Sequence, residues 1–248
     1  MILKSTSNKF LAKDIKYFNT IDSTNNEIWR ALKKKNINEG YTIISEYQTS
    51  GKGRRGNKWI SNKGDSLMFS ILLKPNLPIE KIGLISILSG ISVSSAIKKI
   101  YNIEASLKWP NDVLVNNKKL AGILVESKII KNQVHIVIGI GININQKLMV
   151  NELIDKAISV RMITKRIHDI EVLFLSILEH LENFYSMPID TWITTWETHC
   201  NHKNCNIKFH DNNDIFEGIF MGLTDNGEAI IKKNNLIQNF SSGVLSVI

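Results

Sequence analysis

The sequence predicts an α+β fold: a mixed β-sheet with flanking helices, followed by a small domain built of strands. Three observations carry this. Strand-like runs at 41–47 and 66–73 are interleaved with helical patterns at 23–35 and 80–100. Beyond residue 205 the pattern changes to short strand-like runs at 206–209, 215–221, 228–232 and 236–240. Between them stand the turn signals Asp211-Asn212-Asn213, Asp225-Asn226-Gly227 and Asn234-Asn235. The 248 residues allow one large domain plus an appendage, at roughly 100–200 residues per domain. The change of character divides the chain into 1–199 and 200–248.

Each element has a local cause. Ser23-Thr24-Asn25 is a cap-like cluster, and Ile28, Ala31 and Leu32 form the apolar stripe of the helix it opens. A polar, glycine-rich loop runs from Thr49 to Asp65. Pro75 and Pro78 then break the chain ahead of helix 80–100, which carries Glu80 in its first turn. The most apolar stretch, Ile82 to Ile97, is shorter than the roughly 20 residues that span a bilayer and reads as a buried helix. Strand 105–109 runs into Trp109-Pro110-Asn111-Asp112, a turn because the residue before proline avoids the α region. Strands 113–116 and 120–127 read as a hairpin about Asn116-Asn117, and 134–144 is a further strand. From 151 to 199 the pattern is helical, interrupted at Pro188; Val172, Leu175, Leu178 and Leu181 form a core-facing stripe.

Composition excludes several classes. Hydrophobic residues make up 43% and charged residues 22%, which argues against disorder and fibrous structure. Thirty-one Lys and Arg against 23 Asp and Glu leave +8, which favours anionic partners without choosing among them. Cys200 and Cys205 are too few for a disulfide framework, and the N-terminus has no apolar signal region. A reducing, cytoplasmic setting is expected. The spacing within His199-Cys200-Asn201-His202-Lys203-Asn204-Cys205 fits no usual zinc framework, so this segment reads as the connection into the β domain.

The chemistry-bearing motifs begin with Gly51-Lys52-Gly53-Arg54-Arg55-Gly56. As a dinucleotide fingerprint it fails in context: no helical period follows, and the residue about 20 positions on, Asn76, is not acidic. Its glycines let backbone wrap a ligand, its arginines match phosphate or carboxylate oxygens, and Trp59 offers a flat surface for a ring. A solvated basic loop, or one that grips nucleic acid without specificity, remains an alternative. Asn111 and Asp112 close a strand, where they could hold magnesium, a ribose or an amine, or simply shape a turn. Lys119 leads a strand as a site residue or as an edge lysine, and Gly139 and Gly141 permit close backbone approach or a bulge.

In order, Asp22-Ser23-Thr24-Asn25, Glu46-Tyr47-Gln48, GKGRRGNKW (51–59), KWPNDV (108–113), KLAGILVE (119–126) and GIGININ (139–145) closely resemble the bacterial biotin protein ligases, also called biotin–[acetyl-CoA-carboxylase] ligases. The resemblance runs from Tyr17 to Asn145 and, more weakly, through Ser242-Gly243-Val244. It implies a catalytic domain like the class II aminoacyl-tRNA synthetases and an SH3-like C-terminal β-barrel. It also implies the chemistry: biotin and ATP, with Mg²⁺ carried on the nucleotide and no metal held by the protein alone, give biotinyl-5′-AMP. A lysine of a biotin carboxyl carrier domain of a carboxylase then takes the biotin.

By the same resemblance Lys119, Arg54 and Asp112 are the catalytic residues, Asp112 as a base or an orienting charge. Ser23, Thr24, Asn25, Gln48, Gly51, Lys52, Gly53, Arg54, Lys119, Gly122 and Gly141 belong to the biotin side. Arg54, Arg55, Gly56, Trp59, Asn111, Asp112, Asn143 and Asn145 belong to the ATP or adenylate side. Lys52 stands where the family often has Arg, and Asn57 where it commonly has a basic residue, so a weaker grip on the intermediate is expected. The Asp22–Asn25 motif follows only 21 residues, which implies the monofunctional type without a DNA-binding winged helix. A sheet edge left open would let two copies pair. The rivals are a lipoate or octanoate ligase of the same fold and a basic nucleic-acid-binding protein.

Overall fold

The computed structural model describes residues 10–150, 153–211, 214–234 and 236–248. The anticipated turn residues Asn212, Asn213 and Asn235, and the start of the helical stretch at 151–152, lie outside the described residues. The main sheet holds β1 (Ile15–Phe18), β2 (Thr42–Ser45), β3 (Ser66–Leu73), β4 (Ser106–Lys108), β5 (Asp112–Val115), β6 (Lys118–Ile130) and β7 (Gln133–Asn143). Their order is β1-β2-β3-β7-β6-β5-β4, with β1 parallel to β2 and every other pair antiparallel.

Helices cover both faces. On one side α1 (Thr24–Lys34) buries Ile28, Trp29 and Ala31 with Ile43, Leu72 and Val137. On the other, α2 (Leu84–Tyr101) and α4 (Ile170–Tyr185) pack with Phe69, Ile71, Ile138, Ile140 and Ile142. This explains why β3, SLMFSILL, is buried at every position and does not alternate in polarity. By length and composition alone Ile79–Tyr101 could cross a membrane. In the fold its α2 portion is the central core helix, lying against the sheet, α4 and α5 (Ile189–His199).

Several boundaries differ from expectation for local reasons. Ile79–Lys81 is a separate 3₁₀ turn, so α2 starts at Leu84. The 151–199 stretch resolves into α3 (Val160–Thr164), α4 and α5, because Lys165 adopts a left-handed conformation and Asp169 caps α4 by accepting from the Glu171 N–H. Val172, placed in the core stripe, is 46% exposed; the stripe runs through Leu173, Phe174, Ile177, Leu178 and Leu181. The short edge strand β1 carried no sequence signal, since its four residues are half-buried or exposed.

The second sheet contains β8 (Asn206–His210), β9 (Ile215–Leu223), β10 (Ala229–Lys233), β11 (Leu236–Phe240) and β12 (Val244–Val247), in the order β11-β10-β9-β8-β12. Trp109 docks it onto the main sheet: the indole Nε1 donates to Gly227 O at 3.0 Å, and the ring lies 6.1 Å from that of Phe209. The bond satisfies the buried N–H of Trp109. This docking brings Gly243, Val244 and Leu245 to the mouth of a cavity on the α1 face of the main sheet.

Candidate active site

The cavity has a floor of strands, an end formed by α1, and the glycine-arginine loop over it. On the floor Gly122 of β6 lies directly opposite Gly141 of β7, two residues along from the Leu124–Gly139 pair. Missing side chains there make room for aromatic and amide groups. A Cβ on Gly141 would come within 2.5 Å of the Trp59 ring, and one on Gly139 within 2.2 Å of Asn25 Oδ1. The Trp59 indole therefore lies flat on a glycine surface, with its Nε1 buried and without a hydrogen-bond partner. A buried indole N–H without a partner is a position for a ligand acceptor.

At the α1 end the groups are uncharged and mutually bonded. Gln48 Oε1 accepts from the Thr24 backbone N–H at 2.7 Å and from Thr24 Oγ1 at 3.0 Å. Ser70 Oγ lies 2.7 Å from Thr24 Oγ1 and 2.5 Å from Asn25 Oδ1. Ser23 is the N-cap residue, buried, with no side-chain cap bond. Such a set presents neutral donors and acceptors on rigid backbone.

The loop is a hairpin closed on itself: Gly53 N donates to Asn57 O at 2.7 Å and Trp59 N to Gly51 O at 2.9 Å, with Arg55 and Gly56 at positive φ. Arg54 reaches across to Asn111 Oδ1 and to Gly243 O, each at 3.4 Å, and so touches both sheets. Burial pulls the Arg54 pKa down and neighbouring Arg55 adds to that, while Asp112 opposes it. Lys119 Nζ lies 2.5 Å from Asp112 Oδ1, and Asn111 is oriented by its own bond from Nδ2 to Ile123 O at 2.8 Å. Among the described residues that line the cavity, Lys52, Arg54, Arg55, Lys58, Lys108 and Lys119 face a single carboxylate, Asp112. That excess favours anionic ligands strongly.

Most of the site residues expected from sequence line this cavity: Ser23, Thr24, Asn25, Gln48, Lys52, Gly53, Arg54, Arg55, Trp59, Asn111, Asp112, Lys119, Gly122 and Gly141. Four do not. Gly51 lies behind Trp59, and Gly56 is exposed with open space around it. Asn143 is buried behind Lys119, its Nδ2 3.5 Å from Lys119 O, and accepts from Gln146 Nε2 at 3.2 Å. Asn145, expected on the nucleotide side, spends its amide on the His168 backbone, donating to His168 O and accepting from His168 N at 2.9 Å each. It lies past the end of β7, where the chain has turned away from the floor.

Sequence reasoning missed three participants. Lys108 lines the cavity with its pKa drawn down by burial; Asp112 opposes the shift and Lys119 reinforces it. Glu126 accepts from Asn25 and Trp29 of α1. Gly243–Leu245 supply a wall from the second sheet. A lysine on a three-residue strand, and a glutamate in period-two phase with Gly122, were the available signals for the first two. The third depends on docking.

Fold and cavity together define a ligase of the kind that joins a carboxylate to a nucleotide: a cationic site beside a neutral recognition end on a mixed sheet. The sequence model of the Biotin/lipoate A/B protein ligase family matches residues 17–143, and the chain belongs to that family. It is 30% identical over 218 residues to the bifunctional ligase/repressor BirA of Bacillus subtilis, covering 85% of this chain and 67% of that protein. It is 34% identical over 112 residues to the biotin–[acetyl-CoA-carboxylase] ligase of Mycobacterium tuberculosis, covering 44% of this chain and 41% of the other. The biotin protein ligase of Aquifex aeolicus, solved in complex with biotin and ATP, superposes with a TM-score of 0.81 at 30% identity, over 95% of this chain and 100% of that one.

Proposed function

We propose that this chain is a biotin protein ligase that joins biotin to AMP and passes the biotinyl group to a lysine of a carboxyl carrier domain. The observation that carries this reading is the meeting, in one cavity, of an uncharged hydrogen-bonding set (Thr24, Asn25 and Gln48, backed by buried Ser70) with the cations Lys52, Arg54, Lys108 and Lys119. A ureido ring needs neutral donors and acceptors. A carboxylate and a triphosphate brought together need positive charge to offset their repulsion.

In the first step a biotin carboxylate oxygen attacks the α-phosphorus and the bond to pyrophosphate breaks. Lys119 and Arg54, both lining the cavity, would stabilise charge on the carboxylate and phosphate oxygens. In the second step an acceptor amine attacks the acyl carbon, AMP leaves with the bond electrons, and the amine loses a proton. With a reference pKa near 10.4, that amine needs a partner, and Asp112 is the cavity's carboxylate. Trp59 on its glycine floor serves as the surface for the adenine, and Arg54, bonded toward Gly243, closes the cavity against water.

Magnesium fits as an ion that arrives with the nucleotide. Among the described residues no three acidic, His or Cys side chains gather as a metal site. Mg²⁺ is commonly held by one or two carboxylates plus substrate phosphates, and Asp112 supplies one. Bound there it would neutralise phosphate charge.

Biotin-dependent exchange of pyrophosphate into ATP tests the reading, with lipoate and octanoate as controls. Exchange with biotin alone is expected. Exchange driven by lipoate or octanoate and not by biotin would overturn the assignment.

A further inference from the structure

Glu126 stands next to the cavity floor on β6, two residues beyond Leu124, and its two oxygens serve different elements. Oε2 accepts from Asn25 Nδ2 at 2.8 Å and from Trp29 Nε1 at 3.2 Å, both on α1. Oε1 lies 3.8 Å from Lys52 Nζ of the glycine-arginine loop. The first arrangement settles which way the Asn25 amide points: its nitrogen is held by Glu126, so its oxygen is turned to Ser70 Oγ and over Gly139. The second gives Lys52 a protein counterion.

These two contacts act on an anionic ligand in opposite directions. Orienting Asn25 preorganises a neutral recognition group and favours binding. Pairing with Lys52 sets up a competition, because a ligand carboxylate that uses Lys52 must draw it from Glu126. The Lys52–Glu126 pair is long, and its side chains are 43% and 31% exposed, so it yields at small cost. The Asn25 bond is short and charge-assisted, and it stays.

We propose that Glu126 is a positioning residue for the acyl ligand, with Oε2 orienting Asn25 for recognition and Oε1 holding Lys52 in competition with the ligand's carboxylate. This rests on the reading that the cavity takes biotin, and it adds a residue that tunes the affinity of that site.

The two effects separate by substitution. Glu126→Gln keeps an oxygen for Asn25 and Trp29 and replaces the oxygen facing Lys52 with an amide. Glu126→Ala removes both contacts. Calorimetric titration of the whole chain with biotin and with its uncharged methyl ester reads them. Glu126→Gln gives up the charge that Asn25 and Trp29 also use, so both ligands share that loss, and the ratio of biotin affinity to ester affinity is expected to rise about two- to fivefold. Glu126→Ala is expected to bind both at least about tenfold more weakly, since hydrogen bonds to a charged group are lost. In a Lys52→Gln background, on the exposed loop, Glu126→Gln should bring no gain. A Glu126→Gln chain whose ratio of biotin to ester affinity is no higher than the parent's overturns the proposal. A parent chain with no affinity for biotin is a different failure: it removes the underlying reading and the inference with it.

Discussion

Lys119 Nζ lies 2.5 Å from Asp112 Oδ1, although strict alternation along β6 would point the two side chains to opposite faces of the sheet. A register shift makes the difference. Asp112 faces Gly122 and Val113 faces Ala121, but Leu114 faces Lys119, so one residue of β6 is skipped. The skipped Leu120 is fully buried in the core, and the Lys119 ammonium lands beside Gly122 on the cavity floor. Bulges next to active sites re-aim a side chain in this way.

Because that lysine is placed by a bulge and held by one carboxylate, Lys119→Ala should slow adenylate formation at least about tenfold, the loss of one charged hydrogen bond of roughly 1.5–3 kcal/mol. Release of pyrophosphate in a single turnover measures it. A near-normal rate would remove Lys119 from the chemistry.

Arg54 joins the loop to Asn111 and to the Gly243 carbonyl of the second sheet. Arg54→Gly should open that closure and let the adenylate escape into solution. Biotin should then appear on bystander proteins mixed with the enzyme, detected by avidin blot. Labelling confined to the proper acceptor would contradict the shielding role.

Gly141 is required by contact with the Trp59 ring. Gly141→Ala should push the indole off the floor, at a cost of about 1–3 kcal/mol in binding of ATP or adenylate. The fold should hold, because the neighbour displaced is a side chain on a loop. The change is measured by titration of a non-hydrolysable ATP analogue in the presence of biotin, followed by tryptophan fluorescence.

His202 is a buried titrating group packed between Trp196 and Phe220. Burial first, and then the charge of Lys108, lower its pKa from 6.5 to about 4. The unfolded chain therefore takes up a proton that the folded chain refuses. The stabilising contribution is full above pH 6.5 and is lost as pH falls toward 4, in all about 3 kcal/mol. His202→Gln, neutral throughout, should flatten the acid limb of a plot of Tm against pH over that window. Parallel acid limbs for both proteins would show that His202 is not the group responsible.

The helix at Thr24, the strand at Ser66 and the long core helix are legible in the sequence, because apolar periodicity and caps act over a few residues. Ordered motifs also disclosed the family and most of the cavity's lining. The edge strand β1 escaped, since four half-exposed residues paired on one side leave no periodic trace. The contacts of Asn145, Glu126 and Lys108 leave no trace in the sequence, because their partners His168, Asn25 and Lys119 lie on other elements.

Sequence by itself thus determined most of the elements, the charge and the chemical kind of the site. Tertiary structure alone decided which carboxylate meets which lysine, which asparagine faces the cavity, and that Gly243 of the second sheet helps to close it. The reason is geometric: secondary structure follows from neighbours in the chain. The contact of 2.5 Å between Asp112 and Lys119 depends on a one-residue bulge, which only the pairing of two strands can fix.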